Sequence, residues 1–265
     1  MPKVKPKKHL GQHFLTDKNI AQKIANTLQS DAYKIILEIG PGMGVMTQYL
    51  LSDQDKEIYV VEIDKESVSF LNKHFPKLKN HIIEADFLQM DLGKTFKNQP
   101  IGITGNFPYN ISTQIVFKVL ENKEIVPEFS GMFQKEVSER IVASHGNKTY
   151  GILSVLTQTY YDTEYLFTVN EQVFNPPPKV KSGVIRLKRK EEIPDIDYSY
   201  FKKLVKTAFN QRRKTLRNSL KSYNLSDNLK QASIFAKRPE QLSPQEFVEL
   251  AEMIQNDTSG THTTH

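Results

Sequence analysis

An amide, an imino acid and two rings interrupt an apolar stretch near the middle of the chain. The stretch reads "IGITGNFPYNIS", and its apolar first half is followed by Asn106, Phe107, Pro108 and Tyr109. Asn and Pro are common in turns and aromatic residues in cores, so an ordinary turn after a strand is one interpretation. The other is chemical, because four residues supply an amide oxygen, a backbone carbonyl of fixed direction and a ring face.

A glycine-rich turn stands earlier in the chain. The segment "EIGPGMG" places Gly40, Gly42 and Gly44 between a strand-like run and the helical pattern "VMTQYLL". Glycines let a backbone turn sharply and approach a ligand closely at the start of a helix. The spacing is G-x-G-x-G rather than the dinucleotide fingerprint G-x-G-x-x-G, which disfavours NAD.

Acidic residues end the next two strand-like runs. Glu62 lies 22 residues after Gly40, where a carboxylate can accept both hydroxyls of a ribose. Asp86 ends the third run and could accept a hydrogen bond from the exocyclic amine of adenine. An ordinary strand-end or loop acid is the alternative at each position, although Asp64 already suits the task of capping the next helix. Three such strand ends predict an adenosine-shaped pocket. A cofactor that carries phosphates would need a Walker lysine near the glycine-rich turn, and the turn has none, so S-adenosyl-L-methionine is the favoured occupant.

The Asn-Phe-Pro-Tyr motif would complement this pocket. The amine of adenine is a poor nucleophile, and two acceptors opposite its N–H bonds would draw its lone pair out of the ring. The Asn106 side-chain oxygen and the Phe107 carbonyl can be those acceptors, with Pro108 fixing the direction of the carbonyl. Tyr109 offers a face to a base rotated out of its stack, and Phe174 either closes the other side or anchors the core. Catalysis would then depend on positioning and polarisation.

The periodicity predicts the elements that must hold these residues. Apolar runs of strand length alternate with helical patterns, which is typical of a parallel sheet covered by helices, and the predicted fold is a doubly wound, Rossmann-like α/β sheet. Thr16 is the expected N-cap of the first helix. The predicted strands are "KIILEIG", "EIYVVEID", "NHIIEADF", "IGITGNFP", "EFSGMFQ" and the adjacent pair "TEYLFTVN" and "GVIRLKRK".

A change in composition follows "EEIPDID" and divides the chain. We predict a domain over residues 1–190 with a basic N-terminal arm at 1–12, a small helical domain over 198–256 and a polar tail at 257–265. The helical domain begins with an apolar face under a basic one, and "FNQRRKTLRNSL" is expected to be helical. Its last helix should start at Ser243 with Pro244 at its first position and a capping box closed by Glu246.

The charge balance favours a polyanionic partner. The chain has 36 Lys and Arg against 30 Asp and Glu, a net charge of +6, which points to nucleic acid. Basic runs are often only solvated faces, but here they are expected to contact phosphates. The residues predicted for that contact are Lys179, Lys181, Arg212, Arg213, Lys214 and Arg217.

Several classes of site are disfavoured by composition. The chain has no Cys, so disulfides, thiolate metal sites and a cysteine nucleophile are excluded, and we expect no metal site. It has no run of about 18 apolar residues that would suggest a membrane span. We expect a cytoplasmic protein.

Seven segments in order resemble a known family. "GQHFL", "EIGPGMG", "VEID", "EADF", "GNFPYNIST", "VFNPPPKVKSGVIRL" and "FNQRRKTLRNSL" are similar to the ribosomal RNA adenine N6-dimethyltransferases of the KsgA type. The resemblance covers nearly the whole chain. It implies a class I methyltransferase sheet with an antiparallel strand at its edge, S-adenosyl-L-methionine as donor, and a helical C-terminal domain that engages RNA.

The resemblance also implies roles for individual residues. The target adenine would lie between Tyr109 and Phe174. The substrate would be two neighbouring adenines in a hairpin near the 3′ end of small-subunit ribosomal RNA, each receiving two methyl groups, in the assembling small subunit (the pre-30S particle) and with no obligate protein partner. The residues expected against the donor are His13, Leu15, Gly40, Glu62, Asp86 and Asn106.

Three other functions compete with this one. Erythromycin-resistance methyltransferases modify one adenine of large-subunit RNA and resemble the same sheet motifs, but "FNQRRKTLRNSL" argues against them. DNA adenine methyltransferases commonly carry Asp-Pro-Pro-Tyr or Asn-Pro-Pro-Tyr and lack such a helical domain. A non-catalytic RNA-binding assembly factor is the third alternative, and the intact motif at 106–109 argues for activity instead.

Overall fold

The computed structural model describes residues 4–260, and the side chains of residues 4–257. Most of the predicted polar tail at 257–265, and the first three residues of the predicted arm, lie outside the described residues. The chain divides into two compact units, one of Met1–Glu139 and Asp162–Arg189, the other of Arg140–Tyr161 and Lys190–His265. Residues 140–161, which the change in composition did not single out, group with the C-terminal helices.

Two sheets are found among the described residues. The larger has seven strands in the order β4-β3-β2-β5-β6-β9-β7, and the smaller pairs β1 with β8. The strands are β1 (Phe14–Leu15), β2 (Ile35–Ile39), β3 (Glu57–Glu62), β4 (Ile82–Glu84), β5 (Ile101–Gly105), β6 (Glu128–Gln134), β7 (Tyr161–Val169), β8 (Phe174–Asn175) and β9 (Ser182–Arg189).

The larger sheet confirms the predicted doubly wound α/β fold. Strands β2 to β6 pair in parallel, and β9 runs antiparallel to β6, one strand in from the edge at β7. Strands β2 and β5 are buried at every position, as expected where helices cover both faces of a sheet. Chain order reverses between β2 and β5, which is where ligands bind in sheets of this kind.

The smaller sheet ties the N-terminal segment to a distant part of the chain. Leu15 pairs with Phe174 and Phe14 with Asn175, in antiparallel register. The periodicity did not predict this sheet, because two-residue strands carry no pattern. It brings the segment before the first helix to the segment before the Pro-rich loop, whose Asn175–Pro176 peptide bond is cis.

Helices follow most of the strands. One predicted cap is wrong: Asp17, not Thr16, caps the first helix, accepting from the Ile20 N–H at 3.0 Å. The Thr16 hydroxyl instead donates to the Val173 carbonyl at 2.8 Å. The helices up to residue 142 are α1 (Lys18–Ala25), α2 (Thr47–Leu50), α3 (Lys65–His74), α4 (Leu92–Thr95), α5 (Ser112–Glu121) and α6 (Lys135–Val142).

The remaining helices belong to the second unit. The predicted capping box is confirmed: the Ser243 N–H donates to Glu246 Oε2 at 2.9 Å, and the Glu246 N–H donates to Ser243 Oγ at 3.1 Å. Within the described residues, no helix combines the length and apolar character needed to cross a bilayer. These helices are α7 (Ile152–Tyr160), α8 (Tyr198–Phe209), α9 (Leu216–Ser219), α10 (Asp227–Lys230) and α11 (Pro244–Gly260).

The segment "FNQRRKTLRNSL" is not the continuous helix that was predicted. Helix α8 ends at Phe209, residues 210–215 form a turn, and α9 begins at Leu216. The apolar face of α8 ends at Phe209 and the next six residues are all polar, so a continued helix would bury nothing. Leu216 is the next core residue, and its N–H donates to the Lys237 carbonyl at 2.8 Å.

Candidate active site

A cavity opens at the carboxyl ends of β2, β3, β4 and β5 in the first unit. Including its open mouth, it encloses about 980 Å³. Neighbouring parallel strands end at the same edge of the sheet, so loops distant in sequence meet there. The cavity is lined by residues 9–14, residues 39, 40 and 42, and residues 61–63, 85–88 and 106–111.

The glycine-rich loop forms one wall of the cavity. Gly40 has φ of 66°, and a Cβ on it would meet no atom within 4 Å, so the space beside it is open. Gly42 has φ of 56°, and a Cβ there would lie 2.9 Å from the ring of Phe14. Only glycine combines this backbone with such close approach.

The loop is held by Glu62 at the end of β3. This carboxylate accepts from the Gly42 N–H at 3.1 Å and from the Ile63 and Asp64 N–H groups at 2.9 Å each. Burial raises the pKa of Glu62, and the backbone donors oppose that shift. A carboxylate has about four acceptor positions, so one remains for a ligand.

Asp86 lines the cavity beside Glu62. Its Oδ1 accepts from the Leu88 N–H at 2.9 Å and caps a short 3-10 turn, a structural role that the sequence analysis did not assign to it. No described residue bonds its other carboxylate oxygen. Asp86 therefore fulfils the capping function and still presents an acceptor to the cavity.

Two acceptor oxygens lie unused at the end of β5. The Asn106 Nδ2 group donates to the His13 carbonyl at 3.0 Å. A carbonyl can only accept, so this bond fixes the amide orientation and leaves Oδ1 for another donor. Within the described part of the chain, no donor contacts Asn106 Oδ1 or the Phe107 carbonyl.

The ring of Phe107 is part of the core rather than of the cavity surface. It is 1% exposed and stacks on Phe129 with ring centroids 5.2 Å apart, with Phe133 at 4.9 Å. A Cβ on Gly131 would come within 2.4 Å of this ring, and one on Gly105 within 2.7 Å. The two glycines thus make room for the ring, and the locked ring fixes the backbone of residue 107.

Tyr109 is anchored at its hydroxyl and covered on one face. Its hydroxyl lies 2.6 Å from the hydroxyl of Ser182, which is fully buried at the start of β9. The imidazole of His13 stacks on the ring with centroids 5.5 Å apart. Burial raises the pKa of the Tyr109 phenol, so this residue stays a neutral stacking surface at neutral pH.

Leu15 and Phe174 do not line the cavity. Both are 4% exposed, pair in the small sheet and belong to one hydrophobic core cluster. The cavity therefore brings together His13, Gly40, Glu62, Asp86 and Asn106 to Tyr109, whereas these two side chains face the core. Their expected contacts with donor and base stay predictions.

Comparison with known proteins decides the family. The model of the family described as ribosomal RNA adenine dimethylase matches residues 3–256. The protein named Ribosomal RNA small subunit methyltransferase A in Flavobacterium johnsoniae is 60% identical over 259 residues, covering 97% of this chain and 98% of that protein. The chain belongs to the ribosomal RNA adenine dimethylase family.

Solved structures share the fold of this dimethylase. The crystal structure of a dimethyladenosine transferase from Plasmodium falciparum has a TM-score of 0.80 at 25% identity, covering 93% of this chain and 98% of that one. The crystal structure of the 23S rRNA methyltransferase ErmE has a TM-score of 0.64 at 24% identity, covering 91% and 99%. The second likeness shows the fold alone.

The cavity of the dimethylase fits its cofactor, S-adenosylmethionine. The open space beside Gly40 admits a close approach to backbone, and Glu62 and Asp86 keep free acceptor positions for hydroxyl and amine groups. Hydroxyls and amines are the polar groups of an adenosine moiety. The apolar side chains of Ile39, Val61 and Leu88 also line the cavity.

The N-terminal segment of the dimethylase is fastened over this cavity. The Lys7 ammonium pairs with the Asp64 carboxylate and lies 3.2 Å from Glu66 Oε1. The Gln12 side-chain oxygen accepts from the backbone N–H of Lys7 at 2.8 Å, and the Gln12 side-chain nitrogen donates to Asp64 Oδ2 at 3.4 Å. Burial alone would raise the pKa of Asp64, but the Lys7 and Gln12 contacts hold it below its usual range. Residues 9–14 thereby become a wall of the cavity.

The predicted RNA-binding residues are mostly exposed. Lys179 and Lys181 are exposed in the first unit, as are Arg213, Lys214 and Arg217 in the second. Arg217 Nε donates to the Lys230 carbonyl at 3.1 Å, whereas no described residue pairs with the side chains of Arg213 and Lys214. Arg212 is half-buried and donates to the Asn147 carbonyl at 3.3 Å.

Sequence reasoning missed four residues that build the site. Lys7 was interpreted only as part of a basic arm, and Gln12, Glu38 and Ser182 were not singled out. Glu38 is 2% exposed and accepts from the Thr47 hydroxyl at 2.6 Å, tying the strand before the glycine loop to the helix after it. A charged residue inside the apolar run "KIILEIG" was the one available signal.

Proposed function

We propose that this enzyme dimethylates N6 of two adjacent adenines in the 3′-terminal hairpin of small-subunit ribosomal RNA during assembly of the small subunit. The choice of small-subunit RNA is supported by 60% identity, over nearly the whole chain, to a protein named Ribosomal RNA small subunit methyltransferase A. The site chemistry rests on one observation: two acceptor oxygens, Asn106 Oδ1 and the Phe107 carbonyl, are unengaged at the end of β5.

The two oxygens would prepare the amine of adenine for attack. S-adenosylmethionine, when bound, supplies an electrophilic methyl group on a sulfonium. The Asn106 Oδ1 atom and the Phe107 carbonyl each accept a hydrogen bond from one of the two N–H groups of the amine. These two hydrogen bonds turn the nitrogen lone pair out of conjugation with the ring. As the new N–C bond forms and the C–S bond breaks, the nitrogen loses one proton to water.

The same arrangement accounts for the number of methyl groups. A monomethylated amine still has one N–H, so one of the two acceptors can hold it for a second transfer. A dimethylated amine has none. It leaves both oxygens without a partner, which disfavours binding and limits each adenine to two transfers.

Base stacking would supply the remaining positioning. Tyr109, held by Ser182, offers a ring face beside Asn106, and stacking on an aromatic side chain contributes about 1–3 kcal/mol per base. Phe174 is proposed for the opposite side of the base. Because this side chain is buried in the core cluster, the proposal requires it to turn outward when RNA binds.

The proposal extends to cofactor contacts, RNA contacts and location. Glu62, with one acceptor position left, is assigned to a ribose hydroxyl, Asp86 to the adenine amine of the cofactor, and Gly40 and His13 to backbone contacts with the donor. Exposed basic residues at 179–181 and 212–217 are assigned to phosphates. The partner is the assembling small subunit with no obligate protein partner, and the location is cytoplasmic.

Methyl transfer from labelled S-adenosylmethionine to unmodified small subunits tests the proposal. Wild-type enzyme should label two neighbouring adenines, and Asn106→Ala should lower kcat by about 100-fold or more. Asn122→Ala is the matched control, because it removes another amide whose Nδ2 donates to a backbone carbonyl, at 2.8 Å and outside the cavity.

The outcomes separate the candidates. Label on large-subunit RNA instead would favour the erythromycin-resistance type, and no label with wild type would favour a binding factor. Equal rates for wild type and Asn106→Ala would reject the assignment of Asn106.

A further inference from the structure

We infer that the His13 imidazole holds the place of the target adenine on Tyr109 in the RNA-free enzyme and is displaced by that base. His13 is thus a positioning residue. The inference rests on the proposed function and deepens it, because it names the group that the incoming base must replace.

The imidazole already occupies the stacking surface. Its ring lies 5.5 Å from that of Tyr109 at an interplanar angle of 30°, and no other ring in the described part of the chain contacts Tyr109. The hydroxyl bond to Ser182 at 2.6 Å holds the phenol end of Tyr109 in place. The tyrosine is therefore a fixed platform, and the histidine is the partner that can leave.

The covered face is the one that the target base needs. The Asn106 Nδ2 group bonds to the His13 carbonyl at 3.0 Å, so Oδ1 of the same amide lies next to residue 13. An adenine whose amine reaches Oδ1 must lie beside residue 13, where the imidazole now stacks. A flat base and a flat imidazole would compete for one face of Tyr109.

Displacement of the ring would also break a hydrogen bond to a loop. His13 Nδ1 lies 2.8 Å from the Pro176 carbonyl, which can only accept, so Nδ1 carries the hydrogen. Pro176 follows Phe174 by two residues and lies next to the small sheet. Breaking this bond on arrival of the base would remove one contact of the loop after Phe174, whereas the Leu15–Phe174 pairing and the Thr16 contacts to the Val173 carbonyl would still hold the segment that carries Phe174.

An aromatic placeholder has a physical advantage over an empty site. It excludes water from the face of the Tyr109 ring and holds the loop at Pro176 by a hydrogen bond that can be broken. A base that stacks more strongly than imidazole displaces it, whereas a sugar or phosphate does not, because neither offers an aromatic face. The exchange thus favours nucleobases over other parts of the RNA.

Nuclear magnetic resonance of wild-type enzyme tests the exchange directly. The protein, carrying ¹³C-labelled histidine and loaded with S-adenosylhomocysteine, is titrated with the target hairpin RNA. The chain has seven histidines, and the spectrum of His13→Asn assigns the His13 signal. This signal should carry a ring-current shift from Tyr109 and lose it at saturation with RNA. A hairpin with abasic sites at the two adenines should leave it in place.

Variants separate the ring from its hydrogen bond. His13→Asn keeps a donor and removes the ring, so it should bind the hairpin about fivefold or more tightly than wild type. His13→Phe keeps a ring and should not bind more tightly. His74→Asn is the matched control, because the His74 ring stacks on Phe70 at 4.0 Å and its Nδ1 lies 2.8 Å from a carbonyl, outside the cavity.

The result that overturns the inference is a His13 signal unchanged at full occupancy by the hairpin, or weaker RNA binding by His13→Asn with cofactor affinity intact. Where His13→Asn fails to fold, the spectrum of His13→Phe assigns the His13 signal, and the wild-type titration still decides the question. Failure of the proposed function appears elsewhere, as absence of methyl transfer to small subunits by wild-type enzyme.

Discussion

At the scale of single residues, the site depends on groups held in place by atoms that do no chemistry. The Asn106 amide is oriented by a backbone carbonyl, and the Phe107 carbonyl by a ring locked between Phe129 and two glycines. The Asn106 amide nitrogen bonds to the His13 carbonyl and the Phe107 N–H bonds to the Met132 carbonyl, whereas the Asn106 Oδ1 atom and the Phe107 carbonyl oxygen have no donor among the described residues. Orientation fixed before the substrate arrives is what makes such dipoles effective.

The Tyr109–Ser182 contact gives a prediction at this scale. Ser182 is fully buried, so Tyr109→Phe leaves its hydroxyl unpaired and should lower the free energy of unfolding by about 1–3 kcal/mol. Removing both hydroxyls should cost little more than removing one. Denaturant unfolding of both single variants and the double variant measures this, with kcat/KM for RNA followed in parallel. Additive effects in the double variant would contradict the contact.

At the scale of elements, a buried acid joins the strand before the glycine loop to the helix after it. Glu38 lies on β2, and the Thr47 hydroxyl that donates to it starts α2. Burial raises the pKa of Glu38 to about 8, the Thr47 hydrogen bond lowers it, and the nearby charge of Glu62 raises it. The carboxyl is therefore mainly protonated at neutral pH and works as a neutral partner.

Glu38→Gln tests this with a defined dependence on pH. Between the unfolded pKa of 4.5 and the folded value of about 8, the native state keeps a proton that the unfolded state has lost. The stability of the wild type should therefore fall relative to Glu38→Gln across this interval, by at most about 1.4 kcal/mol per pH unit. Denaturant unfolding at several pH values measures the difference, and parallel curves for the two proteins would contradict it.

The N-terminal segment gives a second prediction for an element. Lys7 pairs with Asp64 and Glu66, and residues 9–14 form a cavity wall. Lys7→Met should raise the dissociation constant of S-adenosylhomocysteine several-fold, and added salt should narrow the difference, because partly exposed ion pairs are screened. Calorimetric titration measures both effects. Lys5 is exposed and forms no ion pair with a described residue, so Lys5→Met is the control. Equal affinities of the two variants for S-adenosylhomocysteine would exclude a role for the Lys7 ion pairs.

At the scale of the whole molecule, charge is spread over both units rather than gathered at the cavity. The net charge is +6, and exposed basic side chains occur in the loop before β9 and in the turn between α8 and α9. The cavity itself presents carboxylates from Glu62 and Asp86. The exposed basic residues proposed for RNA and the residues that line the cavity therefore belong to different segments of the chain.

Salt dependence tests the basic turn. Removing one basic side chain that binds a phosphate should reduce the slope of log affinity against log salt by about 0.7–0.9. Arg213→Ala should show that reduction for the small-subunit hairpin, because no described residue pairs with its side chain. Lys18→Ala, at the exposed start of α1, should keep the wild-type slope. Filter-binding titrations at several salt concentrations measure both, and identical slopes would remove Arg213 from the interface.

Local pattern was sufficient for much of this protein. The parallel strands, the glycine turn, the acids at the strand ends, the capping box at Ser243 and the family itself all follow from short segments of sequence. Each is encoded by neighbours in the chain: alternation of apolar runs, glycine where backbone must turn, or a hydroxyl three residues before a glutamate. The wrong cap at Thr16 marks the limit, because the Thr16 hydroxyl bonds to the distant Val173 carbonyl instead. The break after Phe209 has a local signal, the six polar residues that follow it, which the prediction of a continuous helix overlooked.

Only the tertiary structure decided how those pieces form a site. The stacking of His13 on Tyr109, the anchoring of Tyr109 by Ser182 and the attachment of Lys7 to Asp64 join residues 57 to 96 positions apart. The burial of Phe174 reverses the exposure that its motif suggests. A sequence specifies which groups a loop carries. Which of their atoms are occupied by neighbours, and which remain free to bind, depends on packing that no local pattern records.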